Sequence, residues 1–167
     1  MKKIRLIAIT AILISIVSSV FAEPIKVFFS PDGGCQQAVI DKIDGAVSTI
    51  DVAMYHLTSR EIAQALIKAK ERGVIVRLYM DRGEANTKYS KATYLTKKGV
   101  EVKYYLGKGL MHNKFAVIDN NVLITGSFNW TPTADRENQE NLLILTTKDL
   151  IKQYSDRFEM LWGAGGK

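Results

Sequence analysis

Cysteine, proline and histidine are scarce in this chain: its 167 residues include one cysteine, three prolines and two histidines. With one cysteine no intrachain disulfide can form, so the fold has to be held by a buried core. Cys35 is expected to be a small buried residue of that core, and it lies too far into the chain to be a lipid-attachment site at a processed N-terminus. No carboxylates and histidines stand at ligand spacing, so no metal and no cofactor is expected. Acidic residues are missing before Glu23. The one long apolar run, Leu6 to Phe21, is broken by Thr10, Ser15, Ser18 and Ser19 and falls short of the roughly 20 apolar residues of a membrane span. There is no internal repeat, and the only low-complexity tract is the glycine-rich tail Gly163 to Gly166.

What the N-terminus has is a basic start (Met1 to Arg5), that apolar run, and small residues Val20 and Ala22 where a signal peptidase reads. Residues 1–22 are therefore expected to be a signal peptide, and the mature protein periplasmic or secreted, with no stable membrane association after cleavage. Residues 23–167 remain, enough for one domain with a real core. Hydrophobic residues at 47%, charged at 24% and aromatic at 9% are globular proportions and exclude a disordered, collagen-like or coiled-coil chain. Lys2, Lys3 and Arg5 carry half of the formal charge of +6, which leaves a mildly basic mature chain. Such a charge permits a polyanionic partner without requiring one.

Along the chain, β-branched runs alternate with helical patterns. Strands are expected at Ile25 to Phe29, Thr49 to Tyr55, Val74 to Met80, Val100 to Tyr105, on both sides of Asp119-Asn120-Asn121 between Asn113 and Gly126, and at Asn141 to Thr146. Helices are expected near Cys35 to Ala46, after the cap candidates Thr58 and Ser59 with an Ile62, Ala65, Leu66, Ala69 stripe, around Tyr89 to Lys98, and at the end through Ile151, Tyr154, Phe158 and Leu161. Asp81 to Thr87 reads as a polar loop. The fold class is α/β: a mixed β-sheet flanked by helices in an α-β-α sandwich.

Of the two histidines, His112 is the informative one. It opens His112-Asn113-Lys114-Phe115-Ala116-Val117-Ile118-Asp119, and in a strand residues i and i+2 share a face, so imidazole and ammonium would project together. Phosphoryl transfer needs that pair: the imidazole attacks or protonates an oxygen while the lysine neutralises the non-bridging oxygens. Asp119 has the opposite parity and is expected to be structural. Gly126-Ser127-Phe128-Asn129 ends the partner strand and would return a hydroxyl and an amide, both phosphate donors, toward the first strand. Glu140 could hold the second ring nitrogen of a histidine. His56, without a lysine at i+2, reads as a loop or cap residue.

His-x-Lys-x4-Asp, then Gly-Ser-x-Asn, then a glutamate before the next strand resembles the active-site pattern of the phospholipase D superfamily, and the chain is most similar to its small bacterial endonucleases. Arg72-Gly73-Val74 and Asp81 also fit that family. The resemblance implies a phospholipase D-like fold, His112 as the phosphate-attacking residue, Lys114, Ser127 and Asn129 as phosphate ligands, Glu140 as the residue that orients the histidine, Asp119 and Gly126 as structural parts of the motif, and no metal. Larger members carry two copies of the motif and this chain carries one. A phosphohistidine route needs a second acid and base, so a homodimer with two-fold symmetry is expected, placing both copies of His112 across one phosphate.

From Asn86 to Lys114 there are seven lysines, Lys88, Lys91, Lys97, Lys98, Lys103, Lys108 and Lys114, against one acid, Glu101, with Tyr89, Tyr94, Tyr104 and Tyr105 interleaved. Such a segment would draw in a nucleic-acid backbone without reading sequence, and some of the tyrosines would stack on bases while at least half pack in the core. The favoured reading is a metal-independent, sequence-nonspecific endonuclease, a phosphodiesterase acting on DNA or RNA. The alternatives are a phosphodiesterase for phospholipid headgroups and a nucleic-acid-binding protein that does not cut.

Overall fold

The computed structural model describes residues 25–166; the expected signal peptide, residues 1–22, lies outside them. The elements are β1 (Lys26–Ser30), α1 (Cys35–Asp44), β2 (Thr49–Met54), α2 (Arg60–Glu71), β3 (Ile75–Asp81), α3 (Arg82–Ala85), α4 (Ala92–Lys97), β4 (Glu101–Tyr105), β5 (Lys114–Ile118), β6 (Val122–Gly126), α5 (Pro132–Arg136), β7 (Glu140–Leu145) and α6 (Lys148–Ala164).

All seven strands form one mixed sheet in the order β1-β7-β6-β5-β2-β3-β4. The β2, β3 and β4 strands run parallel, while β5, β6, β7 and β1 are joined to them and to one another antiparallel. Strand alternation feeds two cores. Ile50, Val52 and Met54 of β2 and Val76, Leu78 and Met80 of β3 face α1 and α2, whose Val39, Ile43, Ile62 and Leu66 are fully buried there. Ala53, Tyr79, Phe115 and Val117 point to the other side and meet Ile151, Phe158 and Leu161 of α6. This is an α-β-α sandwich, and each large aliphatic side chain withdrawn into it contributes about 1.5–3 kcal/mol.

Local chemistry explains the boundaries. Ser59 caps α2 by accepting from the Ile62 N–H at 3.2 Å. Arg77 of β3 ties α6 to the sheet: it donates to Asp51 at 2.6 and 2.8 Å and to Glu159 of α6 at 2.6 Å, with its guanidinium over the Phe158 and Trp162 rings. The Asp51 bonds push this guanidinium above its ordinary basicity against the opposing effect of burial. Cys35 is fully buried, and burial, with Asp135 adding to it, raises its thiol above the usual value. Gly166 donates to and accepts from the Tyr104 backbone at 3.1 and 2.8 Å, laying the end of the described chain along β4.

Three expectations need correction. Asp81 to Thr87 is not all loop, because Asp81 accepts from the Gly83 and Glu84 N–H groups and caps the one-turn helix α3. The lysine-rich helix is shorter than Tyr89 to Lys98 and begins at Ala92. An unexpected turn of helix, α5, follows Ser-x-Asn, started by Pro132 and by Thr131 accepting from the Ala134 N–H at 3.0 Å.

The β5–β6 turn carries Asp119 and Asn120 at φ of 53° and 48°, the left-handed region that Asp and Asn tolerate. The Asp119 carboxylate accepts from the N–H groups of Val47, Ser48 and Thr49 at 2.9, 2.7 and 2.8 Å. Burial would raise this carboxyl, but the three backbone donors outweigh it and hold it below the usual carboxylate range. Replacing Asp119 with alanine is expected to cost about 2 kcal/mol at neutral pH by stranding these donors. Because the folded value is the lower one, the contribution is complete above the unfolded carboxylate value near 4 and fades as pH falls through the folded value. Urea unfolding of wild type and Asp119→Ala at pH 7 and pH 3 reads this directly: the gap between the two proteins narrows at the lower pH.

Candidate active site

Antiparallel pairing collects the candidate residues at one end of the sheet. Lys114 begins β5, Gly126 ends β6 and Glu140 begins β7, so His112 just before β5, Ser127 and Asn129 just after β6, and Glu140 belong to the same edge. Asp119 is at the opposite end of β5, where it serves the turn.

His112 lies outside the strand, so alternation does not bring it to Lys114 as expected. Tyr55, which follows β2, does. The His112 and Tyr55 rings lie 4.4 Å apart at 58°, and the Lys114 Nζ sits 5.0 Å from the centroid of the Tyr55 ring. Lys114 also reaches back to donate to the His112 carbonyl at 2.9 Å. Tyr55 is pinned in turn: its N–H donates to the Asn113 carbonyl at 2.9 Å and its hydroxyl to Glu84 Oε1 at 3.2 Å. Burial, then the Glu84 charge, push the hydroxyl above its ordinary value, so it stays a donor. Burial lowers the Lys114 ammonium from its ordinary value, and the Glu140 carboxylate opposes that shift.

Glu140 does not bond His112 within the chain. Its Oε2 accepts from Ser127 Oγ at 2.5 Å and its Oε1 from Asn138 Nδ2 at 3.2 Å. Ser127 Oγ in turn accepts from the Asn141 N–H at 3.0 Å. Gly126, at φ 147°, lets β6 and β7 approach here: a Cβ on it would lie 2.3 Å from the Asn141 carbonyl oxygen, which accepts from both Ser127 and Phe128 N–H. Asn129 Oδ1 is buried without a hydrogen-bond partner among the described residues.

Sequence reasoning missed Tyr55 and Glu84. His56 is in a loop, but its side chain is used: Nε2 stands 3.4 Å from Glu84 Oε2. Tyr55-His56 directly after a strand was the available signal; nothing in sequence linked it to Glu84, which α3 delivers. Beside His56 and Glu84 opens a cavity of about 590 Å³ whose walls also include Tyr89, Lys91 and Asn129. Of the interleaved tyrosines, Tyr89 and Tyr94 are exposed, whereas Tyr104 and Tyr105 pack against the two cores. Lys103 is spent on the Trp162 carbonyl at 2.8 Å. Among the described residues no three histidine, cysteine or carboxylate side chains form a group that could hold a metal.

A solvent-accessible imidazole beside a lysine, with serine, asparagine and carboxylate groups at the strand ends of a mixed α-β-α sandwich, is the equipment of a phosphoryl-transfer enzyme. A family model described as the cardiolipin synthase, PLD-like domain matches residues 39–162. A phospholipase D of Rickettsia felis is 35% identical over 138 residues, 83% of this chain and 69% of that protein. The human mitochondrial cardiolipin hydrolase is 34% identical over 117 residues, and the match spans only 46% of its length. The phospholipase D family member Nuc of Salmonella typhimurium superposes with a TM-score of 0.81 at 29% identity, covering 86% of this chain and 96% of Nuc. The chain belongs to the phospholipase D superfamily and is a phosphodiesterase of that superfamily.

Proposed function

We propose that this phosphodiesterase is a metal-independent, sequence-nonspecific endonuclease, exported as a single catalytic domain and active as a homodimer. The observation that carries the reading is the open strand-end site: His112 is exposed, and the cavity that shares Asn129 with the motif has Lys91 and the exposed Tyr89 in its lining. A polymer with a phosphate backbone fits such a surface. In the proposed reaction a ring nitrogen of His112 attacks phosphorus, and a P–N bond forms as the bond to the leaving oxygen breaks. His112 of the partner subunit gives that oxygen a proton. The same imidazole then takes a proton from water, whose oxygen displaces the first histidine and restores both. Lys114 neutralises the non-bridging oxygens, with Asn129 as a further donor and Ser127 as another once its hydroxyl turns from Glu140 to the phosphate. Glu140 bonds Ser127 and Asn138 rather than His112 in its own chain, which favours a role toward the partner's His112.

A specific observation favours a second reading, hydrolysis of phospholipid headgroups. Leu106 and Leu110 are 55% and 63% exposed on the Gly107-Lys108-Gly109 loop that leads to His112, an apolar tip able to touch a bilayer. Among the described residues no helix is long and apolar enough to cross a membrane. Plasmid nicking in excess EDTA, with vesicles containing cardiolipin and phosphatidylcholine assayed in parallel, separates the two. Nicking without lipid turnover is the expected result; lipid turnover without nicking replaces it with the second reading, and loss of nicking in EDTA removes the metal-free route.

A further inference from the structure

A cavity opens next to the motif, on the side of His56 and Glu84. It is about 590 Å³, within the range of pockets that enclose small organic ligands, and Asn129 is shared between it and the phosphate-binding motif. Tyr55 links the two: its ring carries His112 and Lys114, and its hydroxyl bonds Glu84, which lines the cavity. The Glu84 carboxylate accepts from Tyr55 at one oxygen and has His56 Nε2 3.4 Å from the other, and each oxygen keeps a lone pair for a further donor. A fixed carboxylate repels a phosphate and accepts from amino, ring N–H or hydroxyl groups. At the rim, Tyr89 is 69% exposed and Lys91 supplies a cation.

We infer that this cavity receives the base and sugar of the nucleotide adjoining the cleaved phosphate, with Glu84 accepting from the base edge, Tyr89 offering a stacking surface and Lys91 taking the next phosphate. The inference rests on the nuclease reading and sharpens it. A base stacked and paired in a duplex cannot enter a side cavity without being pulled out, which costs free energy, so the preferred substrate is an unpaired strand.

The test compares a short single-stranded oligonucleotide, its blunt duplex, the same strand with abasic sites, and bis(p-nitrophenyl) phosphate, which has no nucleoside. Wild type is expected to cut the intact single strand about tenfold faster than either the duplex or the abasic strand, the scale of one lost base–aromatic contact. Glu84→Gln and Tyr89→Ala are each expected to raise KM for the oligonucleotide and to lower its turnover relative to bis(p-nitrophenyl) phosphate about tenfold. Equal rates on intact, duplex and abasic strands overturn the subsite while leaving the nuclease reading in place. Parallel losses on both substrate types in the variants overturn it as well, because a purely structural role of Glu84 predicts them. Turnover of bis(p-nitrophenyl) phosphate and of phospholipid vesicles with no cleavage of any oligonucleotide overturns the nuclease reading itself.

Discussion

Replacing His112 with alanine is expected to lower phosphodiester hydrolysis by about 10⁴-fold or more, since a covalent route loses its nucleophile and, in a symmetric dimer, its acid at one stroke. The same change should leave stability within about 1 kcal/mol of wild type, because the side chain is exposed and packs against the Tyr55 ring. Single-turnover hydrolysis of a small diester beside a urea unfolding curve separates the two effects. A denaturing quench at alkaline pH, where a P–N bond survives, should trap the labelled phosphoryl group on wild type, and the variant should trap none. Residual turnover above about one part in a hundred would assign the attack to another group, because removal of a true nucleophile is not so well tolerated.

Gly126→Ala should cost about 3 kcal/mol or more, a large effect for a single methyl group. Two penalties coincide: the backbone φ of 147°, and a Cβ placed 2.3 Å from the Asn141 carbonyl oxygen. That oxygen holds the Ser127 and Phe128 N–H groups, so relief by moving β7 also disturbs the bonds from Ser127 to Glu140 and from Asn141 to Ser127. Activity should therefore fall even at temperatures where the variant is folded. Gly163→Ala is the matched control: it sits in α6 with open space around the added methyl, and alanine is the better helix former by about 0.5–1 kcal/mol. Melting temperatures should move down for the first protein and stay level or rise for the second.

Most of the sheet was legible because its strands are short β-branched runs bounded by turn residues, and α2 and α6 because Ile62, Leu66, Ile151 and Phe158 repeat at helical spacing. Their ends were read to within a few residues. The one-turn helices α3 and α5 were not, since four or five residues have no period; only their caps, Asp81 and Thr131, could have signalled them. The motif residues were legible as chemistry, but the route by which His112 and Lys114 meet was misread. It runs through Tyr55, from a strand far away in sequence. The cavity was invisible for the same reason: loops after β2, around α3 and after β6 enclose it, and no local pattern records that they converge.

The Gly166 bridge to Tyr104 gives the sheet unequal margins. On the β4 side the chain's own tail occupies the outward hydrogen-bonding groups of Tyr104, which shields that strand from other polypeptides. On the β1 side Val27 and Phe29 stand exposed beside an unpaired strand edge among the described residues. A bulky fusion that pulls Gly166 away would uncover the second margin too, and a chain with two adhesive edges can grow end to end, where a chain with one stops at a pair. A purification tag belongs, for that reason, anywhere but on the glycine tail.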